Sequence, residues 1–468
     1  MSETASMFGL LRQTADKDVV DAIERLIADA PDHKLCRINV LAFAAKEGLA
    51  EERALSAFLH AAKIGIFEMS WNVLCPGCGG VLDSNATLKT VHSDAYLCSL
   101  CATDYEPTLD AMVEVTFTVS PRVRAIPAHR PSDLPPVEYF RQIFFSSELD
   151  LPDDFAALFE TIALEALDLP PGEKAILSLQ LPAEFVIVFD PVTHTAQFID
   201  VKGEATKERQ SLSIAFDKAE PQHPTIEMRP GPIRLTLENR TDARLIPSVL
   251  IAGHDLHDMM KKRRPFLTAK QLLSSQTFRD LHRTDTLDID QRLKITSLTF
   301  LFTDLRGSTE LYERVGDLVA FDLVRAHFRV LHEIVAAESG AVVKTIGDAV
   351  MATFPTPDGA VAAALRMRDA MLALNKERGG EDLLLKIGIH EGPCIAVTLN
   401  ERQDYFGQTV NIASRVQGLA TSREIFATGG VVGDARASGV LEARGLVPKS
   451  HNATLRGIAN EVSVFAIP

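Results

Sequence analysis

Four of the six cysteines stand in two tight pairs, CPGC at 75–78 and CSLC at 98–101, in the pattern C-x2-C-x19-C-x2-C. A C-x-x-C turn aims two thiolates at one point, so two such knuckles complete a closed tetrahedral S4 site with no position left for substrate. A redox role would call for one activated pair at a helix start, which two evenly matched pairs do not suggest. The opening MSETASMFGLLRQTADKDVV has no basic stretch leading into an apolar core. No later window reaches the run of about 18 uncharged apolar residues that a membrane span needs. A cytoplasmic chain is therefore expected, and in a reducing compartment paired cysteines favour metal over disulfides. Cys36 and Cys394 stand alone and read as small buried apolar side chains.

The four-cysteine pattern resembles a zinc ribbon, with Cys75, Cys78, Cys98 and Cys101 holding one structural Zn2+. Around it lie 468 residues, too many for one hydrophobic core, with the 46 % hydrophobic and 24 % charged make-up of an ordinary globular protein. A formal charge of −15 and a pI near 5.4 argue against nonspecific attraction to nucleic acid or to an anionic membrane.

The hydrophobic period divides the chain. Residues 1–70 are read as helical: DVVDAIERLIADA sets Val19, Val20, Ile23, Leu26 and Ile27 at helical spacing, and the two following helical patterns each end at a glycine able to close a helix. With the strand-like IFEMSWNVL they resemble a winged helix. Its recognition helix would be Glu51 to Ile64, whose Glu51 and Glu52 oppose Arg53 and Lys63, a poor charge set for phosphate contacts. Residues 71–110 form the zinc ribbon. Residues 111–257 carry short alternating or apolar runs between Pro, Gly, Asp and Asn turns, which predicts an antiparallel β-sandwich-like regulatory domain interrupted by a helix over DFAALFETIALEALDL. Residues 258–292 are read as a helical connector with a capping box at Thr268–Gln271, and KKRR at 261–264 as a solvated face.

Chemistry concentrates in residues 293–468. SLTFLFT at 297–303 is a nearly continuous apolar strand that ends on Asp304, and LRGSTELYERVG follows. A carboxylate at a strand end, then a glycine-bearing turn into a helix start, sets a metal ligand beside free backbone N–H groups at Leu305, Gly307 and Ser308. Magnesium commonly bridges one or two carboxylates to substrate phosphates, and Asp348, on the Gly347-Asp348 turn of AVVKTIGDAVMATF, offers the second. In DYFGQTVNIASRV, Asn411 and Arg415 are four apart on the expected helix, so an amide and a guanidinium share one face suited to a phosphoryl group.

FLFTDLRGST, VVKTIGDAVMATF, KIGIHEGP and DYFGQTVNIASRV, in that order, resemble the catalytic domain of the class III adenylyl and guanylyl cyclases over about residues 293–468. The upstream half looks like a region of uncharacterised function found ahead of some bacterial cyclase domains. The resemblance implies a multidomain α+β chain with a ferredoxin-like α/β catalytic domain, active as a head-to-tail homodimer. It matches Asp304 and Asp348 to the ligands of two Mg2+ or Mn2+ ions, and Lys344 and Asp404 of the other protomer to the pair that reads adenine. It matches Asn411 to the ribose-positioning residue and Arg415 to the group that stabilises charge on the α-phosphate. Lys386 stands where the family often has an Arg for the β- and γ-phosphates, and Arg456 where a Lys is common; both keep the charge. His390 is read as a packed histidine. The implied activity is conversion of ATP to cyclic AMP, with a guanylyl cyclase or a non-catalytic nucleotide-binding regulator whose N-terminal region binds DNA or protein as alternatives, and an unknown regulatory ligand or protein for residues 1–290.

Overall fold

The computed structural model describes residues 3–92, 94–217, 222–282, 287, 291–378, 383–399, 402–421, 424–453, 455, 458 and 462–468. The chain forms two compact units, Met1–Pro107 with Ala111–Leu267, and Thr108–Asp110 with Thr268–Pro468. Among the described residues no helix is long and apolar enough to cross a membrane.

In the first unit, helices Glu3–Thr14, Lys17–Asp29, Val40–Glu47 and Glu51–Ile64 precede a three-stranded antiparallel sheet in which Phe67–Leu74 lies between Val81–Asn85 and Val113–Val119. Asn39 caps the third helix by accepting from the Leu41 and Ala42 N–H groups, and Gly48 and Gly65 close the third and fourth at φ 66° and 92°. Phe58 stacks on Phe67 at 4.8 Å and meets Phe117 at 5.2 Å, which seats the fourth helix on the sheet. Arg53 on that helix is paired with Asp16 and Asp18 at 2.5 and 2.6 Å.

The rest of this unit has two sheets, one ordered Gln210–Phe216, Gly231–Asn239, Lys174–Leu181, the other Gln222–Met228, Thr195–Val201, Val186–Asp190, Ser248–Ile251, Ala163–Ala166. Val188, Ile199 and Val249 of the larger sheet share one core with Phe216, Leu235 and Leu237 of the smaller. The antiparallel expectation is corrected here, because Gln210–Phe216 pairs parallel with Gly231–Asn239, and Gln222–Met228 parallel with Thr195–Val201. The reason is topological: Gln222–Met228 runs back in the other sheet, so the strands before and after it point the same way. The predicted helix over DFAALFETIALEALDL is also shorter, Phe155–Ile162, since Ala163–Ala166 pairs with Ser248–Ile251 as an edge strand. Nor is KKRR wholly solvated, since Arg263 pairs with Glu148 at 2.7 Å and donates to the Gly77 carbonyl, while Arg264 donates to the Ser147 carbonyl.

The connector is shared out: helix His254–Lys261 belongs to the first unit, and Ala269–Leu273 and Gln276–Leu281 to the second, with Thr268 and Gln271 forming the capping box. In the second unit the sheet runs Ala341–Ile346, Ala349–Phe354, Leu293–Leu305, Leu385–Leu399, Ile425–Thr428, Val462–Ile467, Lys449–Ala453, with Arg402–Phe406 paired to Leu385–Leu399. Its first four strands, with helices Asp317–Ala337 and Pro357–Arg378 between them in sequence, give the β-α-β-β-α-β order of a ferredoxin-like fold. Both helices pack on one face, burying Leu331, Val335, Ala364 and Met367 against Leu301, Leu305, Phe354, Ile387 and Ile389.

Helix Gln408–Gln417 lies on the opposite face so closely that a Cβ on Gly388 would sit 2.1 Å from the Gln417 nitrogen and 2.4 Å from its Cα. Only a glycine fits. Gly388→Ala is expected to lift this helix and to cost about 1–3 kcal/mol, read as a lower unfolding midpoint; an unchanged midpoint would contradict this packing.

Candidate functional site

The strand Leu293–Leu305 sets the site. In its antiparallel register with Leu385–Leu399, Asp304 faces Lys386 and Leu305 faces Leu385. Leu305 is buried in the helix-covered core, so Asp304 projects to the other face. There its side chain is 34 % exposed, with Lys386 Nζ 3.5 Å from its Oδ2. The chain then turns through Gly307, whose φ of 68° favours glycine, into helix Ser308–Val315. The first N–H groups of that helix have no acceptor within it.

The second carboxylate comes from the adjacent hairpin, turned by Gly347 at φ 63° and Asp348. Asp348 Oδ2 is buried and has no hydrogen-bond partner among the described residues. A buried carboxylate oxygen without a donor is costly unless a cation completes it. This orphaned oxygen fits a metal held by Asp304 and Asp348. Behind it, on helix Asp317–Ala337, His327 is fully buried, with burial pushing its pKa down to about 4 and the Asp348 charge opposing that shift.

Lys344 is turned to this face by a bulge. Val342 pairs with Ala352 and Lys344 with Met351, leaving Val343 as the extra residue. An unbroken ladder would set Lys344 opposite Val350, which is buried against the helices. The bulge instead re-aims the ammonium toward Asp404, with which it forms an ion pair. Asp404, on strand Arg402–Phe406, also accepts from the Tyr405 N–H at 2.8 Å. Among the described residues Lys344, in the strand, is therefore paired with Asp404 and not with Asp348 at the turn of the same hairpin.

Asn411 and Arg415 lie one turn apart on helix Gln408–Gln417, and neither side chain makes a hydrogen bond or ion pair among the described residues. Arg456 lies outside the described residues. His390 is packed, with Nδ1 2.9 Å from Thr428 Oγ1.

Two contributors gave no sequence signal. Arg279, in a segment legible only as polar helix, donates to the Gln403 carbonyl at 2.9 Å and the Val343 carbonyl at 3.4 Å, bracing the backbone next to both members of the Lys344–Asp404 pair. His327 is the other, hidden in the amphipathic pattern of its helix.

In the first unit the four paired cysteines converge. Their sulfurs all lie within 4.8 Å of one another, with Cys75 to Cys101 at 3.6 Å and Cys78 to Cys98 at 3.7 Å. Cys75 and Cys78 follow strand Phe67–Leu74; Cys98 and Cys101 bracket the turn of hairpin Tyr96–Cys98 and Thr103–Tyr105. Hydrogen bonds from Cys101, Cys78 and Cys98 pull Cys75 well below the usual thiol range. The Gly80 N–H points at Cys78 Sγ from 3.4 Å, and a Cβ on Gly77 would sit 3.0 Å from Cys101 Sγ, a tighter contact than most side chains make. Four thiols in this space suit a tetrahedral metal.

Comparison with known proteins gives two family matches. Residues 1–280 match the model described as a family of unknown function (DUF5939), and residues 291–442 match the adenylate and guanylate cyclase catalytic domain. The chain is 33 % identical over 135 residues to an adenylate cyclase of Anabaena cylindrica, covering 26 % of this chain and 27 % of that one. Over 132 residues it is 33 % identical to adenylate cyclase 2 of Rhizobium meliloti, covering 26 % and 36 %. An adenylate cyclase of Mycosarcoma maydis is 30 % identical over 166 residues, 31 % of this chain and 7 % of that protein. The chain thus spans about a third or less of the length of these relatives. Among solved structures, the adenylyl cyclase CyaB from P. aeruginosa aligns at TM-score 0.33 and 22 % identity, covering 38 % of this chain and 96 % of that one.

Burial pushes the His390 pKa down to about 4. The unfolded state takes up the proton first, near pH 6.5, so this group's contribution is intact above about 6.5 and is lost as pH falls toward about 4. The unfolding midpoint should drop between about pH 7 and about pH 5, and the drop should be smaller in His390→Gln. An equal drop in both proteins would assign it to other groups.

Proposed function

We propose, for a chain that belongs through residues 1–280 to the family of unknown function DUF5939 and carries an adenylate and guanylate cyclase catalytic domain at 291–442, that it makes 3′,5′-cyclic AMP and pyrophosphate from ATP in intracellular signalling. The observation that carries this reading is the division of one hairpin: Lys344 bonded to Asp404 from its strand, and, at its turn, an Asp348 oxygen with no partner among the described residues.

In the proposed reaction the ribose 3′ oxygen attacks the α-phosphorus, the new O–P bond replaces the bond to the β-phosphate oxygen, and the hydroxyl proton is lost as pyrophosphate leaves. Two Mg2+ or Mn2+ ions held by Asp304 and Asp348 supply, when bound, a lowered 3′-hydroxyl pKa and neutralisation of the triphosphate. Lys386 and Arg456 hold the β- and γ-phosphates, with the backbone N–H groups at Leu305, Gly307 and Ser308 facing the same anion. Asn411 fixes the ribose, and Arg415 stabilises the charge that builds on the α-phosphate oxygens.

Purine choice rests on Lys344 and Asp404. Lys344 donates to a ring nitrogen of adenine and Asp404 accepts from the exocyclic amine, whereas guanine offers a carbonyl and a ring N–H there. The active form is a head-to-tail homodimer with the sites at its interface. Supporting this, Ile346, next to the hairpin turn, and Phe406, two residues from Asp404, are large apolar side chains that are 53 % and 68 % exposed. A zinc ribbon at 71–110 holds one structural Zn2+, and the winged-helix-like 1–70 and sandwich-like 111–257 form a cytoplasmic sensor rather than a nucleic-acid reader. The acidic first turn of helix Glu51–Ile64 and the pairing of Arg53 support that last point.

The purified full chain is expected to form cyclic AMP from ATP with Mg2+ or Mn2+ and little product from GTP. Asp304→Ala, Asp348→Ala and Arg415→Ala should each lower kcat about a hundredfold or more. Product formation unchanged in Asp304→Ala would end the proposal, and a preference for GTP would reassign the substrate. Metal analysis should find one zinc per chain, lost in Cys75→Ser/Cys78→Ser whatever the cyclase activity.

A further inference from the structure

The first unit contains a cavity of about 810 Å3 that the catalytic reading leaves unused. Its wall gathers Arg25, Lys34, Arg37, Lys46, Arg141 and Arg264 against three carboxylates, Asp29, Glu47 and Asp153. That is a surplus of three cations in one hollow of a chain whose net charge is −15. We propose that this cavity binds a small anionic metabolite that carries a phosphate or carboxylate together with hydroxyl groups, and that it is the ligand site of the region of unknown function.

Three features mark the cavity as built. Arg141 has only 10 % of its side chain exposed, and its nearest carboxylate contact among the described residues, Glu138, is 3.9 Å away; its Nη2 instead meets His33 Nε2 at 2.8 Å and the Asp153 carbonyl at 3.1 Å. A guanidinium shielded from water and paired with no carboxylate at hydrogen-bond distance has its charge available for an anion. The backbone around it is unusual too. Arg141 and Gln142 ride on a π-helical turn, Phe140–Phe144, and Arg37 sits at φ 48°, in the left-handed region that a long side chain rarely adopts. Such conformations persist where the surroundings hold them and collect at ligand sites. Arg37 is held by its guanidinium, which donates to the Ile143 carbonyl, and by its N–H, which donates to Thr118 Oγ1 at 3.0 Å.

The third feature selects the ligand's neutral part. Gln142 lines the cavity and is 7 % exposed, and its Oε1 has no donor among the described residues, although its Nε2 donates to Glu138 at 2.6 Å. Ser146, also lining and buried, has a hydroxyl with no partner among the described residues. A bare anion would leave the Gln142 carbonyl unpaired, since it needs a donor. A hydroxylated anion satisfies the guanidinium, the amide oxygen and the serine together, and the volume lies in the range of metabolite sites.

Titration calorimetry on the full chain, at constant ionic strength and without Mg2+ or Mn2+, tests this with ribose 5-phosphate, citrate and neutral ribose. At least one of the two anions is expected to bind with a Kd below about 1 mM, and ribose not to bind. Arg141→Gln should weaken that binding about tenfold or more, and Lys46→Gln, at an exposed position that threatens no packing, by about two- to fivefold. Lys386→Gln should leave it unchanged, which separates the cavity from phosphate capture in the catalytic domain. No binding by either anion, binding as tight for ribose, or affinity lost in Lys386→Gln and kept in both cavity variants would overturn the proposal. Because the measurement uses no nucleotide, its result is independent of whether the chain cyclises ATP.

Discussion

The catalytic unit depends on one ladder, the antiparallel pairing of Leu293–Leu305 with Leu385–Leu399. Side chains alternate faces along a strand, so a slip of one residue would send Asp304 into the helix-covered core and Leu305 out of it. The register is held by what each face excludes. On one side Leu301, Leu305, Ile387 and Ile389 are buried beneath two helices. On the other, Gly388 admits helix Gln408–Gln417 at a distance that no side chain would tolerate. A carboxylate, an ammonium and the helix bearing Asn411 and Arg415 are thereby committed to the same face before any ligand arrives.

The hairpin 341–354 solves a harder problem with the same tools. Its strands must be apolar toward the helices, yet it carries one cation and one anion. The bulge at Val343 turns Lys344 out of the buried face, and the turn at Gly347 frees Asp348 from the ladder. Neither group neutralises the other, because Lys344 is drawn to Asp404, while the Asp348 charge acts on the buried His327, opposing the lowering of its pKa. That oxygen remains without a donor among the described residues, an arrangement that is costly unless a cation completes it.

Much of this was legible in the sequence, for identifiable reasons. Helix ends at Gly48 and Gly65, the cysteine knuckles and the strand ending at Asp304 are local events, fixed by backbone conformations or spacings that a few residues encode. What escaped depends on partners distant in sequence. FAALFETIALEAL fits a helical period throughout, and only pairing with Ser248–Ile251 makes its second half a strand. Parallel pairing in the sandwich-like region follows from which sheet each strand joins, and periodicity carries no information about that. Arg263, read as solvated, is half-buried because Glu148 and the Gly77 carbonyl come to it from elsewhere in the fold.

The same distinction explains why the basic cavity had no signature in the chain. Its cations are drawn from positions 25 to 264, and the basic run KKRR at 261–264 contributes only Arg264. Folding concentrates them. Bringing like charges together costs free energy, and an exposed cluster would lower that cost by solvation and salt screening. Arg141 instead is withdrawn from water on a π-helical turn, without a carboxylate at hydrogen-bond distance among the described residues. Stability alone would favour an apolar side chain of similar volume at that position, as it does for many buried charges. The presence of a guanidinium next to Gln142, whose amide oxygen has no donor among the described residues, is therefore better explained by a ligand that completes both than by the packing of the unit.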